Sequence, residues 1–173
     1  MAAMAISHTF DQRRSAAATR ALQVLHRRAV HRVGIVASLV GVAVSSYLLA
    51  VRVIGITLLC GPALGPFGGC AKVEASVWSS IGPIPVAAIG VAGALVLFAA
   101  SLLHARQGGE RALFVWLMAG VAGSVIELGL IGVQAFVIGA WCGWCLIFGT
   151  TVFVSTAAAI KVALTSTKDP ARR

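Results

Sequence analysis

The sequence predicts an all-α membrane protein built around four transmembrane helices. Three observations carry this. Of 173 residues, 59% are hydrophobic and 11% charged, where a soluble domain carries roughly a quarter charged. Four apolar stretches each reach the ~20 residues a helix needs to cross ~30 Å of hydrocarbon. The Lys and Arg residues gather between those stretches rather than inside them. Little chain is left for a soluble domain, and no internal repeat is visible, so a single membrane domain is expected over residues 33–161.

The elements follow in order. Residues 1–32 form a basic tail with Arg13, Arg14, Arg20, Arg27, Arg28 and Arg32. It is long for a signal-peptide n-region and lacks a small-residue cleavage site, so it reads as a retained cytoplasmic tail. Ala16 to His31 is helix-prone, with Leu22, Val24 and Leu25 available to touch the membrane surface. The alternative is a solvated, partly disordered tail that only fixes orientation. The first span is expected over 33–59, uncharged from Val33 to Val51 and resuming beyond Arg52, which is placed to snorkel to the headgroups. The second span is expected over 84–103, and His104 to Arg111 forms a polar joint. The third, 112–133, is interrupted only by Glu127. A tight joint near Gln134 to Gly139 leads to the fourth, 135–160, and residues 162–173 form a second tail. Gly90, Gly93, Gly120, Gly123, Gly129 and Gly132 read as packing glycines that let helices approach.

The net charge of +9 does not signal nucleic-acid binding. Twelve of the fourteen Lys and Arg lie in the two tails and the central joint, leaving Arg52 and Lys72. Four spans put all three basic regions on one side, and the positive-inside rule makes that side the cytoplasm. A multi-pass protein of the cytoplasmic membrane is expected, with both termini cytoplasmic.

That topology places all four cysteines at the outer face, where disulfides persist. Cys142-Gly143-Trp144-Cys145 has the spacing of a redox dithiol at the head of a span. A helix amino terminus there favours the thiolate, the attacking species in exchange. Trp141 and Trp144 suit the membrane boundary. Cys60 and Cys70 bracket a Gly/Pro-rich loop of nine residues, whose flexibility suits a shuttle better than a staple. Four cysteines allow three pairings. The competing reading is a non-enzymatic protein whose four thiolates bind zinc, which an oxidising exterior disfavours. The four histidines, His8, His26, His31 and His104, lie far from the thiols and are assigned no chemistry.

Cys70-Ala-Lys-Val73-Glu-Ala-Ser76-Val-Trp78, then Gly82-Pro-Ile-Pro85 through Gly90, and finally Cys142-Gly-Trp-Cys145 resemble the vitamin K epoxide reductase family. The likeness is strongest to its bacterial, DsbB-like members and covers roughly Gly34 to Ile160. It implies a four-helix bundle around a quinone, menaquinone or ubiquinone, with a short outer half-helix and loop as a lid. It implies that Cys142 and Cys145 are the active-site pair, with Cys145 facing the quinone ring. Cys142 would exchange with Cys70, and Cys60 would take electrons from a soluble DsbA-like, thioredoxin-fold partner. Ser76 matches a serine that donates to a quinone carbonyl, and Trp78 an aromatic residue on the same lid. The chain departs from the family in a longer Cys60–Cys70 loop and in Gly61, where an acidic residue is common. Some bacterial relatives carry a fused thioredoxin-like domain, and here the chain ends soon after the fourth span, so a separate partner is expected.

The activity implied is a thiol oxidoreductase with a quinone acceptor, passing electrons from Cys60/Cys70 to Cys142/Cys145 to the membrane quinone pool. Reduction of a vitamin K epoxide or quinone as the main role is the alternative within the family. Glu127 would cost about 2.5–3.5 kcal/mol to insert as a charge, so a functional role is the default. It would pass protons to the quinone, pair with Arg52, or stay protonated and bonded to a neighbouring helix. Gln134, seven residues on, shares its helical face. Glu127 and Gln134 therefore join Ser76 and Trp78 as candidate cofactor-binding residues.

Overall fold

A computed structural model describes residues 2–56, 58, 60 and 66–166, with side chains described for Thr19 and, apart from residues 20 and 23, from Ala21 onward. Gly61 and most of the Cys60–Cys70 loop lie outside the described residues. So do Lys168, Arg172 and Arg173 and the side chains of Arg13, Arg14 and Arg20.

Four helices are long and apolar enough to cross a membrane, spanning Val24–Ile54, Val86–Gln107, Glu110–Ile138 and Gly143–Ser166. The first belongs to α1 (Ala2–Ile54), which runs unbroken through the basic tail. The backbone of that tail is helix. Leu22, Val24 and Leu25 are exposed. A lid follows, made of α2 (Cys70–Glu74), a 3₁₀ turn (Val77–Ser79) and a hairpin of β1 (Ser80–Ile81) and β2 (Ile84–Pro85). β1 and β2 pair antiparallel, Ser80 with Pro85 and Ile81 with Ile84, around Gly82 at φ 60°. Then come α3 (Val86–Gln107), α4 (Glu110–Gly132) and α5 (Gly143–Ser166).

Several boundaries differ from the hydropathy reading, beginning with α1, which ends at Ile54 and not at 59. α3 continues through His104 and Arg106 and stops at Gly108, whose left-handed backbone (φ 65°) lets its N–H donate to the His104 carbonyl at 2.8 Å. The joint to α4 is therefore only Gly108 and Gly109. α4 runs on beyond residue 133 as a π-helical segment, Val133–Ile138, that ends at Gly139 with φ 61°. The fourth helix begins at Gly143, not at 135, because residues 135–138 belong to the third. Hydropathy reports apolar length and not which helix the apolar residues join, so it merged the two there.

The helices pack in ring order α1, α3, α4, α5. The end nearest the joint is solid. Leu97, Ala100, Trp116, Val152, Ala158, Ala159 and Val162 form one buried cluster. The Trp116 indole N–H donates to Ser155 Oγ at 3.0 Å, and Ser155 and Ser38 hydroxyls meet at 2.9 Å. That chain satisfies the polar atoms of three helices at once, as burial in an apolar bundle requires. The glycine reading holds where helices touch: a Cβ on Gly120 would stand 2.7 Å from Thr156 Oγ1. Gly129 and Gly132 meet nothing within 4 Å. At the same end His31 stacks on His104, ring centroids 5.3 Å apart. The other end, which carries the thiols, is hollow.

Candidate active site

Cys142 begins the site. The π-helical turn places Gln134 so that its amide oxygen accepts the Cys142 N–H at 2.8 Å, while Ala140 N–H closes back onto the Gln134 carbonyl at 3.2 Å. A π turn is wide, and such turns concentrate at functional sites. Here it swings the chain so that the first turn of α5 enters with Cys145 directly above Cys142. Cys145 Sγ donates to Cys142 Sγ at 2.7 Å, and the Cys145 N–H points at the same sulfur at 3.3 Å. Cys142 is 2% exposed. The hydrogen bond from the Cys145 thiol holds the Cys142 thiol below its ordinary value, against the opposing pull of burial. The backbone N–H groups of Cys145 and Trp144 add to the lowering, and the Glu74 carboxylate opposes it. Cys142 is thus the member of the pair disposed to be the thiolate.

The second pair is sewn to the first through backbone. Cys60 and Cys70 are joined in a disulfide, Cα atoms 6.0 Å apart. Gly68 forms an antiparallel bridge with Cys142, and Gly69 N–H donates to the Trp141 carbonyl at 3.0 Å. Cys70 therefore begins α2 two residues after the bridge, and it is fully buried. Gly69 is required by this approach: a Cβ would fall 2.9 Å from Ala140 Cβ and 3.1 Å from the Trp141 carbonyl oxygen. Trp144 packs on Tyr47 of α1, ring centroids 5.0 Å apart.

Beneath the lid lies a cavity of about 340 Å³, within the usual range for small-molecule sites. Its wall is mainly apolar, with Leu48, Ile89, Leu97, Ala119 and Phe148 among the lining residues. Cys145, Ser76, Trp78, Glu127 and Gln134 all line it. The five residues come from four segments of chain, and their convergence on one space is a result of folding. Cys142, by contrast, is not among the lining residues, and its backbone is the one bridged to the loop at Gly68.

The polar groups sit as follows. Ser76 occupies the position before the 3₁₀ turn but makes no side-chain cap bond. Its hydroxyl donates to the Val73 carbonyl at 2.6 Å, a bond it can exchange by rotating. Glu127 is buried on α4 and faces the bare backbone of α5: a Cβ on Gly149 would stand 3.1 Å from its Oε2. Glu127 does not meet Arg52. Arg52 pairs with Glu74 at 3.4 Å. Sequence reasoning missed Glu74, Gly68 and Gly69. The Gly-Gly step immediately before Cys70 was the one legible signal, since paired glycines mark close backbone approach.

A search of curated proteins finds no match. The model of the Vitamin K epoxide reductase family matches residues 32–160. That range holds all four cysteines, the lid and every residue lining the cavity. Members of that family are membrane redox enzymes, and with four spanning helices and a dithiol beside a disulfide, this chain belongs to the Vitamin K epoxide reductase family.

Proposed function

We propose that the protein is a quinone-dependent thiol oxidoreductase that regenerates disulfides in a separate, secreted thioredoxin-fold protein. The observation that carries this reading is the two-sided dithiol: Cys145 lines the cavity while Cys142 is bridged by backbone to the disulfide loop.

In the first step a partner thiolate attacks Cys60, the Cys60–Cys70 bond breaks, and a second partner thiol resolves the mixed disulfide. The partner leaves oxidised and the loop becomes a dithiol. Cys70 then attacks Cys142 of an oxidised Cys142–Cys145 pair, Cys145 leaves as thiolate, and Cys60 resolves the Cys70–Cys142 bond. The loop is again a disulfide and the inner pair a dithiol, which is the arrangement described above. From there the inner pair loses two electrons and two protons and closes to a disulfide.

The cavity suits a quinone ring: an apolar wall, a thiol at one side, and a hydroxyl, a carboxyl and an amide at its edges. When bound there, the quinone supplies the two-electron acceptor. Cys145 presents its sulfur to the ring, and its proton faces the Cys142 sulfur. Ser76, by rotating away from the Val73 carbonyl, would donate to a ring oxygen and favour negative charge there. Glu127 holds or moves a proton within the cavity. The low-lying Cys142 thiol favours attack on a disulfide and departure as a leaving group. Basic residues flanking the spans support placing the thiol end outside the cytoplasmic membrane.

The test is turnover in detergent with a reduced thioredoxin-fold donor and a short-chain quinone, followed by quinone absorbance. Cys142→Ala and Cys145→Ala should each abolish quinone reduction while the Cys60–Cys70 disulfide still exchanges with the donor. Quinone reduction surviving either change would overturn the proposal. Ser76→Ala should slow quinone reduction about five- to tenfold, the scale of one hydrogen bond, and leave donor exchange intact.

A further inference from the structure

The lid holds Ser76 and Trp78 over the cavity, yet little of its own bonding ties it to a spanning helix. Ser76 Oγ donates to Val73 O and Ser79 Oγ to Ser76 O, both three residues back. The backbone bonds of Val73, Ala75, Ser76 and Ser79 reach no more than four residues. Among the described residues, Arg52 is the exception. It stands in the last turn of α1. One guanidinium nitrogen, Nη1, donates to the Glu74 carbonyl at 3.1 Å and pairs with Glu74 Oε1 at 3.4 Å. The other, Nη2, donates to Ser80 Oγ at 3.3 Å. Glu74 closes α2 and Ser80 opens β1, so the fork grips the lid on both sides of residues 75–79.

We propose that Arg52 is a positioning residue that clamps the lid over the cavity and screens the Glu74 carboxylate from the dithiol. The inference rests on the quinone reading for its substrate. An ion pair this exposed contributes little alone. The clamp comes from one rigid fork reaching acceptors on two elements, a geometry that Lys cannot reproduce. The second effect follows from where Glu74 sits. It lines the cavity with Cys145 and Glu127, and its charge works against the Cys142 thiolate. Among the described residues, the charged and titratable groups acting on Cys142 are Cys145 of α5 and Glu74 of α2, with Arg52 of α1 upon Glu74, while Glu127 of α4 acts on Cys145.

The two effects separate in a three-variant experiment on the full chain in detergent. Arg52→Gln should raise KM for a short-chain quinone about five- to tenfold with kcat changed less, the scale of lost lid hydrogen bonds. In the quinone-free, reduced protein it should also move the midpoint of Cys142 alkylation to higher pH. Adding Glu74→Gln should bring the alkylation midpoint back while KM stays high. Arg52→Lys keeps the charge without the fork, so its alkylation midpoint should stay near the original and its KM should rise. A wild-type KM in Arg52→Gln would overturn the clamp. An unmoved alkylation midpoint in that variant would overturn the screening. If the unmodified protein exchanges thiols but reduces no quinone, the functional reading fails instead, and the alkylation series still reads the screening.

Discussion

Replacing Gly69 by Ala tests how the two sulfur pairs communicate. The backbone of Gly69 lies at φ −78° and ψ 18°, a conformation alanine adopts freely, so the perturbation is steric alone. The new methyl would lie 2.9 Å from Ala140 Cβ and 3.1–3.2 Å from the Trp141 carbonyl oxygen and nitrogen. None of these is the far end of a flexible side chain, so the loop has to back away. Retreat loses the Gly69–Trp141 hydrogen bond, about 0.5–1.5 kcal/mol, and overpacking costs about 1–3 kcal/mol. The docked loop is therefore weakened by about 1.5–4.5 kcal/mol, or roughly ten- to two-thousandfold at 1.36 kcal/mol per decade. The assay is rapid-quench trapping of thiols after a reduced donor is mixed with fully oxidised protein. Reduction of Cys60–Cys70 should keep its rate, and passage to Cys142–Cys145 should slow by that factor. Quinone reduction by protein whose inner pair is already reduced should be unchanged. Transfer between the pairs at the original rate would refute the reasoning.

Gln134→Ala leaves the Cys142 N–H buried without its acceptor, which costs about 1–3 kcal/mol. It should lower the thermal midpoint in detergent and slow transfer to the inner pair, whereas Gln134→Glu, which keeps an acceptor, should retain more of both. Cys142 alkylation by a small reagent should titrate below the ordinary thiol range. Since the hydrogen bond from Cys145 is the main cause of that lowering, Cys145→Ala should shift the alkylation profile to higher pH. Gly120→Val places a Cβ 2.7 Å from Thr156 Oγ1. It should destabilise the solid end of the bundle by about 1–3 kcal/mol, seen as a lower melting midpoint, with the KM for quinone unchanged in the folded fraction.

Much was legible in the chain because it was local. Apolar length along one segment decides whether a helix can span lipid, and no partner segment is needed to see it. The Cys-x-x-Cys spacing places two sulfurs across one helical turn for the same reason. Span ends were less legible. His104 and Arg106 are polar, but the helix carries them until Gly108 offers a left-handed stop. The residues from Val133 to Ile138 are apolar, but they close the third helix as a π turn.

By itself, then, the sequence determined that the protein is a bundle of spanning helices with two cysteine pairs near one end, because hydropathy and short spacings are properties of contiguous residues. Only the tertiary structure decided which groups meet. It brought Arg52 to Glu74 and Ser80, 22 and 28 positions away, rather than to Glu127. It laid Gly68 against the Cys142 backbone and set Cys145 in the wall of the cavity. Such pairings depend on how far each helix extends and how it is rotated against its neighbours. That is fixed by close packing over the whole bundle, not by any single stretch of chain.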